Sequence, residues 1–205
     1  MKIQYKLFAF LYDLIDVLYF NRELYSPRTA LLALIPDAPV NVLDACAGTG
    51  SNCLLIARHK PEAQVTALDL SADMLKRASK KFHQAGIVGI QTIVADAGNT
   101  GFADNSFDVI LLSLVLHETG CDIRKTIINE ARRIVSGDGR IIVIEWKQPQ
   151  KPFQRFMFWF IKQMEPEGFK NFLKMDLPAY FNTFGLSLIE KRSCDYTHVF
   201  ALTKD

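Results

Sequence analysis

Val42-Leu43-Asp44-Ala45-Cys46-Ala47-Gly48-Thr49-Gly50 is the stretch on which the fold turns. It opens inside a short apolar run, Val40–Asp44, of the kind that forms a buried strand. It closes on glycines, which accept unusual dihedrals and let backbone approach a ligand closely. A helical pattern follows over Ser51–His59 and stops at Pro61, so the free amides of a helix N-terminus stand beside the loop. A glycine pair after a strand also describes a plain tight turn, and the surroundings have to decide.

Outward from this stretch the same alternation repeats. Gln64–Asp69 reads as a second strand. Ser71 caps a helix over Ala72–Ala85, ended by Gly86 and Gly89. Gly89–Val94 and Ser106–Ser113 are the third and fourth strands. Asp122 is expected to cap a helix running through Val135, with Ile123, Ile127 and Ile134 on its inner face and Ser136-Gly137-Asp138-Gly139 as its stop. Arg140–Trp146 is the fifth strand. Strands alternating with helices predict a parallel sheet with right-handed crossovers. The tail adds an aromatic helix at Phe153–Met164, a second helix at Leu177–Phe184, and an antiparallel hairpin of Leu186–Lys191 with Thr197–Thr203. Before the core, a helix is expected over 4–20, with Lys6, Asp13 and Asp16 on one stripe, and a shorter one over about 28–35. The predicted fold is α/β, a single doubly wound, Rossmann-like sheet, mostly parallel with a C-terminal antiparallel hairpin. One domain is expected over 1–205: an N-terminal helical lid (1–39), a cofactor-binding core (40–146), a helical insertion or lid (147–183) and the hairpin (184–205).

Composition narrows the function. With 205 residues, 49% of them hydrophobic and 22% charged, the chain is large enough for one real core. A net charge of +2 offers no broad basic footprint, so no nucleic-acid partner is expected. Lys76, Arg77, Lys80 and Lys81 fall at helical spacing and read as a solvated face. Cys46, Cys53, Cys121 and Cys194 make no C-x-x-C pair and have no histidine at ligand spacing. No metal is expected, and the thiols read as reduced, small and mostly buried. No segment has the ~20 apolar residues that span a bilayer, and a signal peptide fits poorly. The expected location is cytoplasmic, with peripheral contact at the membrane as a further option.

The residues that carry chemistry share one position. In an open parallel sheet, ligands bind beyond the carboxyl ends of the strands. Asp69 ends the second strand, where a carboxylate accepts from both hydroxyls of an adenosine ribose. Asp96 ends the third, placed for an adenine amino group, with the Ala97 amide beside a ring nitrogen. Asp44, buried before the glycines, needs partners that loop amides or the amino group of an amino-acid ligand would supply.

These stretches resemble the class I S-adenosylmethionine-dependent methyltransferases. Val42–Gly50 is similar to their glycine-rich first motif. Ala67-Leu68-Asp69-Leu70-Ser71-Ala72-Asp73-Met74-Leu75 is similar to their second-strand motif. Ala95-Asp96-Ala97, followed by Phe102-Ala103-Asp104-Asn105-Ser106-Phe107-Asp108-Val109, matches the third, and Ala131–Arg140 the segment entering the fifth strand. The resemblance covers about residues 40–146, and the final hairpin also fits. It points to the branch holding ubiquinone/menaquinone C-methyltransferases and bacterial phospholipid N-methyltransferases. It implies the seven-stranded methyltransferase fold and the cofactor S-adenosyl-L-methionine, held by Asp44, Ala45, Cys46, Gly48, Gly50, Asp69, Leu70, Met74, Asp96, Ala97 and Ser113. Two departures stand out. Cys46 replaces the family's usual glycine, which is harmless if Cys46 keeps ordinary dihedrals. After the fourth strand the chain reads Ser113-Leu114-Val115-Leu116-His117-Glu118, without the segment characteristic of the quinone enzymes.

Methyl transfer needs in-line approach and exclusion of water more than a dedicated nucleophile. His117, just past the fourth strand, is the candidate general base, with a pocket-shaping histidine as the plainer alternative. Glu145, at the end of the fifth strand, is a second candidate that would orient a cationic amine. Aromatic residues in the first helix (Tyr5, Phe8, Phe10, Tyr12, Tyr19, Phe20) and in the later insertion (Phe153, Phe156, Phe158, Trp159, Phe160, Phe169) suggest a hydrophobic small-molecule or lipid acceptor. They read equally as core, lid or membrane contact. Two other classes compete. A nicotinamide-binding oxidoreductase would want a third glycine where Cys53 stands and a Tyr-x-x-x-Lys pair that the chain lacks. A noncatalytic adenosylmethionine binder differs only in transferring nothing. The oligomeric state is open.

Overall fold

The computed structural model describes residues 26–166 and 168–205, so the helix expected over 4–20 and its aromatic residues lie outside it. Ser26 caps α1 (Pro27–Leu34), its hydroxyl accepting from the Arg28 amide at 3.2 Å. The core then runs β1 (Asn41–Ala45), α2 (Ser51–His59), β2 (Gln64–Asp69), α3 (Ala72–Gln84), β3 (Gln91–Val94), β4 (Phe107–Ser113), α4 (Cys121–Ile134) and β5 (Val135–Trp146). After it come α5 (Pro152–Met164), α6 (Phe169–Phe172), α7 (Leu177–Asn182), β6 (Leu186–Ser193) and β7 (Thr197–Lys204).

The strands form a seven-stranded sheet in the order β3, β2, β1, β4, β5, β7, β6. β1 to β5 are mutually parallel, and β7 enters antiparallel between β5 and β6. The predicted α/β sheet with its antiparallel hairpin is therefore observed. The order reverses where β1 lies beside β4, and such a switch point opens a crevice at the carboxyl ends of the strands.

Two-residue periodicity sends alternate side chains to opposite faces. Leu43, Ile110, Leu112, Ile141 and Val143 face Ile127, Ala131 and Ile134 of α4 and Phe181 of α7. Val42, Val109, Leu111, Ile142 and Ile144 face Leu31 and Leu34 of α1, Ile56 of α2, and Leu75 and Phe82 of α3. A third cluster joins Trp146 at the end of β5 to Phe158 and Ile161 of α5 and to Phe169. The outer strand β6 is nearly all exposed and bears Glu190, Lys191 and Arg192, charges that guard a free edge.

Some expectations are corrected. Gly120, not Asp122, is the N-cap of α4; Asp122 lies in its first turn, where its charge still favours the helix N-terminus. Ile123 is exposed, while Ile127 and Ile134 are buried, so the inner face starts a turn later. The helix also does not stop on Ser136-Gly137-Asp138-Gly139. It passes at Val135 directly into β5, and these residues form an irregularity in the pairing with β4, between Phe107↔Val135 and Val109↔Arg140. Close packing explains this use of glycine, because a β-carbon at Gly139 would stand 2.8 Å from the Asp108 carbonyl oxygen. Cys121 is exposed, while Cys53 and Cys194 are buried and Cys46 is partly so.

Candidate functional site

The loop from Ala45 to Gly50 crosses the end of the sheet on hydrogen bonds from the Cys46 and Ala47 amides to the Leu68 carbonyl, both 2.9 Å. Gly48 and Gly50 take positive φ, 54° and 75°, and Gly50 is itself the N-cap of α2. Cys46 does not keep ordinary dihedrals. Its φ is 128°, a region that side chains other than glycine's rarely adopt, so the sequence strains the loop where the family places glycine.

Asp69 orders this turn. Its Oδ2 accepts from the Gly48 amide and its Oδ1 from the Ser71 amide, each at 2.8 Å. Each carboxylate oxygen keeps capacity to accept a further bond from a hydroxyl. Ser71 is the N-cap of α3 and accepts from the Met74 amide, as the sequence predicts. Leu70 is 74% exposed beside Asp69, and Met74 half-buried one turn on.

Asp44 is wholly buried. Its Oδ2 meets Cys53 Sγ at 3.4 Å, and its Oδ1 has no partner. Burial pushes the carboxyl up to about 7, against the Cys53 hydrogen bond and helped by the nearby charge of Asp69. An orphaned acceptor this deep under a glycine loop fits a ligand's cationic amino group. Cys53, at the position where a nicotinamide fingerprint needs glycine, is instead a buried hydrogen-bond donor to Asp44.

Beyond β3, Asp96 is exposed and its Oδ1 accepts from Gly98 N at 2.8 Å, while Ala97 is buried. This segment is braced against α4. The Thr100 amide and hydroxyl donate to Glu130 Oε1 at 2.9 and 2.6 Å. Arg133 binds Glu130, Asp104 Oδ1 and the Phe102 carbonyl, and its guanidinium holds the Glu130 carboxyl down at about 2. Sequence spacing missed one residue here. Lys81, read as part of a solvated face, reaches the glycine loop with 3.0 Å bonds to Thr49 Oγ1 and Ser51 Oγ.

Ser113 ends β4 half-buried, and beyond it His117 and Glu145 come together. Glu145 is wholly buried. Its Oε1 accepts from the Leu116 amide and its Oε2 lies against His117 Nδ1, both at 2.7 Å. Through these two contacts Glu145 orients His117 and ties it to the turn after β4. His117 Nε2 lies 3.2 Å from Glu165 Oε2, a partner the sequence did not suggest because it comes from the far end of α5. Burial pulls the imidazole pKa down, but Glu145 and then Glu165 outweigh it and push it up to about 10. The ring is packed edge-on against Phe169, Phe172 and Trp146. Arg124 fixes the turn by donating to the Leu116 and Thr119 carbonyls. The aromatic segment is divided: Phe158 of α5 and Phe169 of α6 are core, while Phe153, Phe156, Trp159 and Phe160 of α5 are 47–70% exposed.

The switch-point crevice, the glycine loop and the carboxylates near the strand ends have the arrangement of the methyltransferase fold, and residues 42–139 match the family described as a methyltransferase domain. The chain is 30% identical over 139 residues to a demethylmenaquinone methyltransferase of Thermotoga maritima, covering 67% of this chain and 58% of that protein. It is 36% identical over 121 residues to a ubiquinone/menaquinone biosynthesis C-methyltransferase of Desulfotalea psychrophila, covering 57% and 47%. The chain spans only about half the length of these relatives. A SAM-dependent methyltransferase structure from Aquifex aeolicus shares the fold, with a TM-score of 0.71 at 16% identity over 92% of both chains.

Proposed function

We propose that this protein transfers a methyl group from S-adenosyl-L-methionine to a hydrophobic small-molecule or lipid-like acceptor. The observation that carries the reading is the orphaned, buried Asp44 Oδ1 beneath the Gly48–Gly50 loop. In this assignment Asp44 faces the amino group, with Ala45, Cys46, Gly48 and Gly50 giving backbone around the amino-acid moiety. Asp69 takes the ribose hydroxyls. Asp96 and the Ala97 amide take the adenine edge, with Leu70 and Met74 as apolar cover and Ser113 on the opposite wall. The cofactor supplies an electrophilic sulfonium methyl; the protein's part is to align the acceptor and keep water out.

His117 and Glu145 belong to the acceptor side in this reading. Glu145 fixes the ring, and the ring supports the aromatic wall of Trp146, Phe169 and Phe172. Residues 147–183 act as a lid over that wall, within the single domain. The quinone-methylating relatives support an aromatic, apolar acceptor. No helix among the described residues is long and apolar enough to cross a membrane. The exposed Phe153, Phe156, Trp159 and Phe160, beside the exposed Lys151 and Arg155, suit peripheral contact with an anionic bilayer from the cytoplasm.

Calorimetry with S-adenosylmethionine, followed by labelled-methyl transfer to demethylquinol, phospholipid and amine panels, tests the proposal. Binding with transfer to an apolar acceptor is expected. Binding without any transfer would leave the noncatalytic reading in its place.

A further inference from the structure

Three metal-ligating side chains converge beyond the carboxyl ends of β4 and β5. His117 offers a ring nitrogen, and Glu118 and Glu165 a carboxylate oxygen each, all within 4.8 Å of one another. We propose that these residues bind one divalent transition-metal ion, zinc in character, with Glu145 as the outer carboxylate that aims the imidazole.

Direction is the first support. Glu145 Oε2 engages Nδ1 of His117 at 2.7 Å, which leaves Nε2 facing the two other carboxylates. Metal-bound histidines characteristically hand their second ring nitrogen to a carboxylate in this way, fixing both tautomer and orientation. The geometry at Nε2 is the second. This atom is buried and lies 3.2 Å from Glu165 Oε2, in an ion-pair contact whose alignment is poor for a hydrogen bond. Near-contact without N–H alignment is the spacing of two ligands on one ion. At metal–ligand bonds of about 2.1 Å and tetrahedral angles, ligand atoms stand roughly 3.4 Å apart. Glu118 Oε1 lies 4.0 Å from Nε2 on the solvent side.

Access and charge are compatible as well. The Glu118 side chain is 43% exposed, so the cluster opens to solvent on that side, where water would complete the coordination shell. Glu145 is wholly buried and the Glu165 side chain only 14% exposed, so solvent screens little of the charge around His117. One imidazole with two carboxylates suits Zn²⁺ or Mn²⁺, whereas Mg²⁺ favours an all-oxygen shell that keeps several waters. The ligands come from the turn after β4 and the end of α5, so the ion would cross-link the core to the following helical segment. Binding of the ion does not depend on the methyl-transfer reading.

The test uses the full chain, stripped with chelator and without cofactor. Zn²⁺ is titrated by calorimetry, and metal content is read by mass spectrometry after desalting. One Zn²⁺ per chain is expected, displaced by neither Mn²⁺ nor Mg²⁺ at equal concentration. Glu165→Gln and His117→Asn should each weaken Zn²⁺ binding at least a hundredfold, and Glu145→Gln ten- to a hundredfold. Circular dichroism checks folding; should His117→Asn unfold, Glu165→Gln and Glu118→Gln carry the test. Absence of stoichiometric Zn²⁺, or binding of equal affinity in both glutamate variants, overturns the proposal.

Discussion

Gly50 stands against Phe82: a β-carbon built on Gly50 would fall 2.5 Å from Phe82 Cζ and 2.8 Å from Ala78 Cβ. The cofactor loop is therefore seated on α3 by a contact that excludes any side chain, at a φ of 75° that also favours glycine. Gly50→Ala should cost about 1–3 kcal/mol of stability through overpacking and backbone strain. Urea unfolding reads this cost, and calorimetry should show weaker S-adenosylmethionine binding in the same variant.

Asp69 holds the Gly48 and Ser71 amides and retains acceptor capacity for the ribose. Asp69→Ala should weaken S-adenosylmethionine binding by about 1.5–3 kcal/mol, the worth of a hydrogen bond to a charged group. Unchanged affinity on calorimetry would remove Asp69 from the site.

Asp44 makes the protein sensitive to pH. Its carboxyl is raised from an ordinary 3.8 to about 7, so the folded state holds the proton more tightly than the unfolded chain. Its contribution to stability is fully present below pH ~4 and is lost as the pH rises through about 7. A cationic amino group placed on Oδ1 favours the ionised form. Cofactor affinity should thus climb between about pH 6 and 8, with a proton released on binding at the acid end. Calorimetry in buffers of different ionisation enthalpy measures that proton, and Asp44→Asn should abolish it.

Cys46 holds a φ of 128° with a side chain that opposes it. Relief of strain of about 1–3 kcal/mol outweighs the extra chain entropy of glycine, about 0.5–1 kcal/mol. Cys46→Gly should therefore raise stability by about 1 kcal/mol and Tm by roughly 2–4 °C in a chain of this size. A fall in Tm would show that the thiol's packing outweighs the strain.

The exposed ring face of α5 predicts membrane contact. Co-sedimentation with anionic vesicles should be strong for the native chain and at least tenfold weaker for the double variant Phe156→Ser and Trp159→Ser. Equal sedimentation of the two proteins would point to another use of the face.

The core could be read from the sequence because its signals are local. Apolar runs between turn residues marked β1 to β5, and the Ser71 cap was visible from its hydroxyl and spacing. The places of Asp44, Asp69 and Asp96 were legible for the same reason, each lying at or near the end of a strand. The rest depends on contacts between distant segments. Nothing near His117 announces Glu165, and Lys81 looks like any solvated lysine until α3 brings it to Thr49. Ser136–Gly139 have the composition of a stop, yet pairing with β4 absorbs them into a strand. The φ of Cys46 follows from the path of the loop, which the residue type alone would contradict.

The Glu130–Arg133 brace has a consequence for how this protein can vary. Thr100, Phe102 and Asp104 are all tied to two residues of α4, so the segment after Asp96 is not a free surface loop. A change in its length, or the loss of either charge, would be felt at Asp96 and Ala97 without altering either residue. Among descendants of this sequence, substitutions at Glu130 and Arg133 should be inherited together with changes in residues 98–106, as a single module.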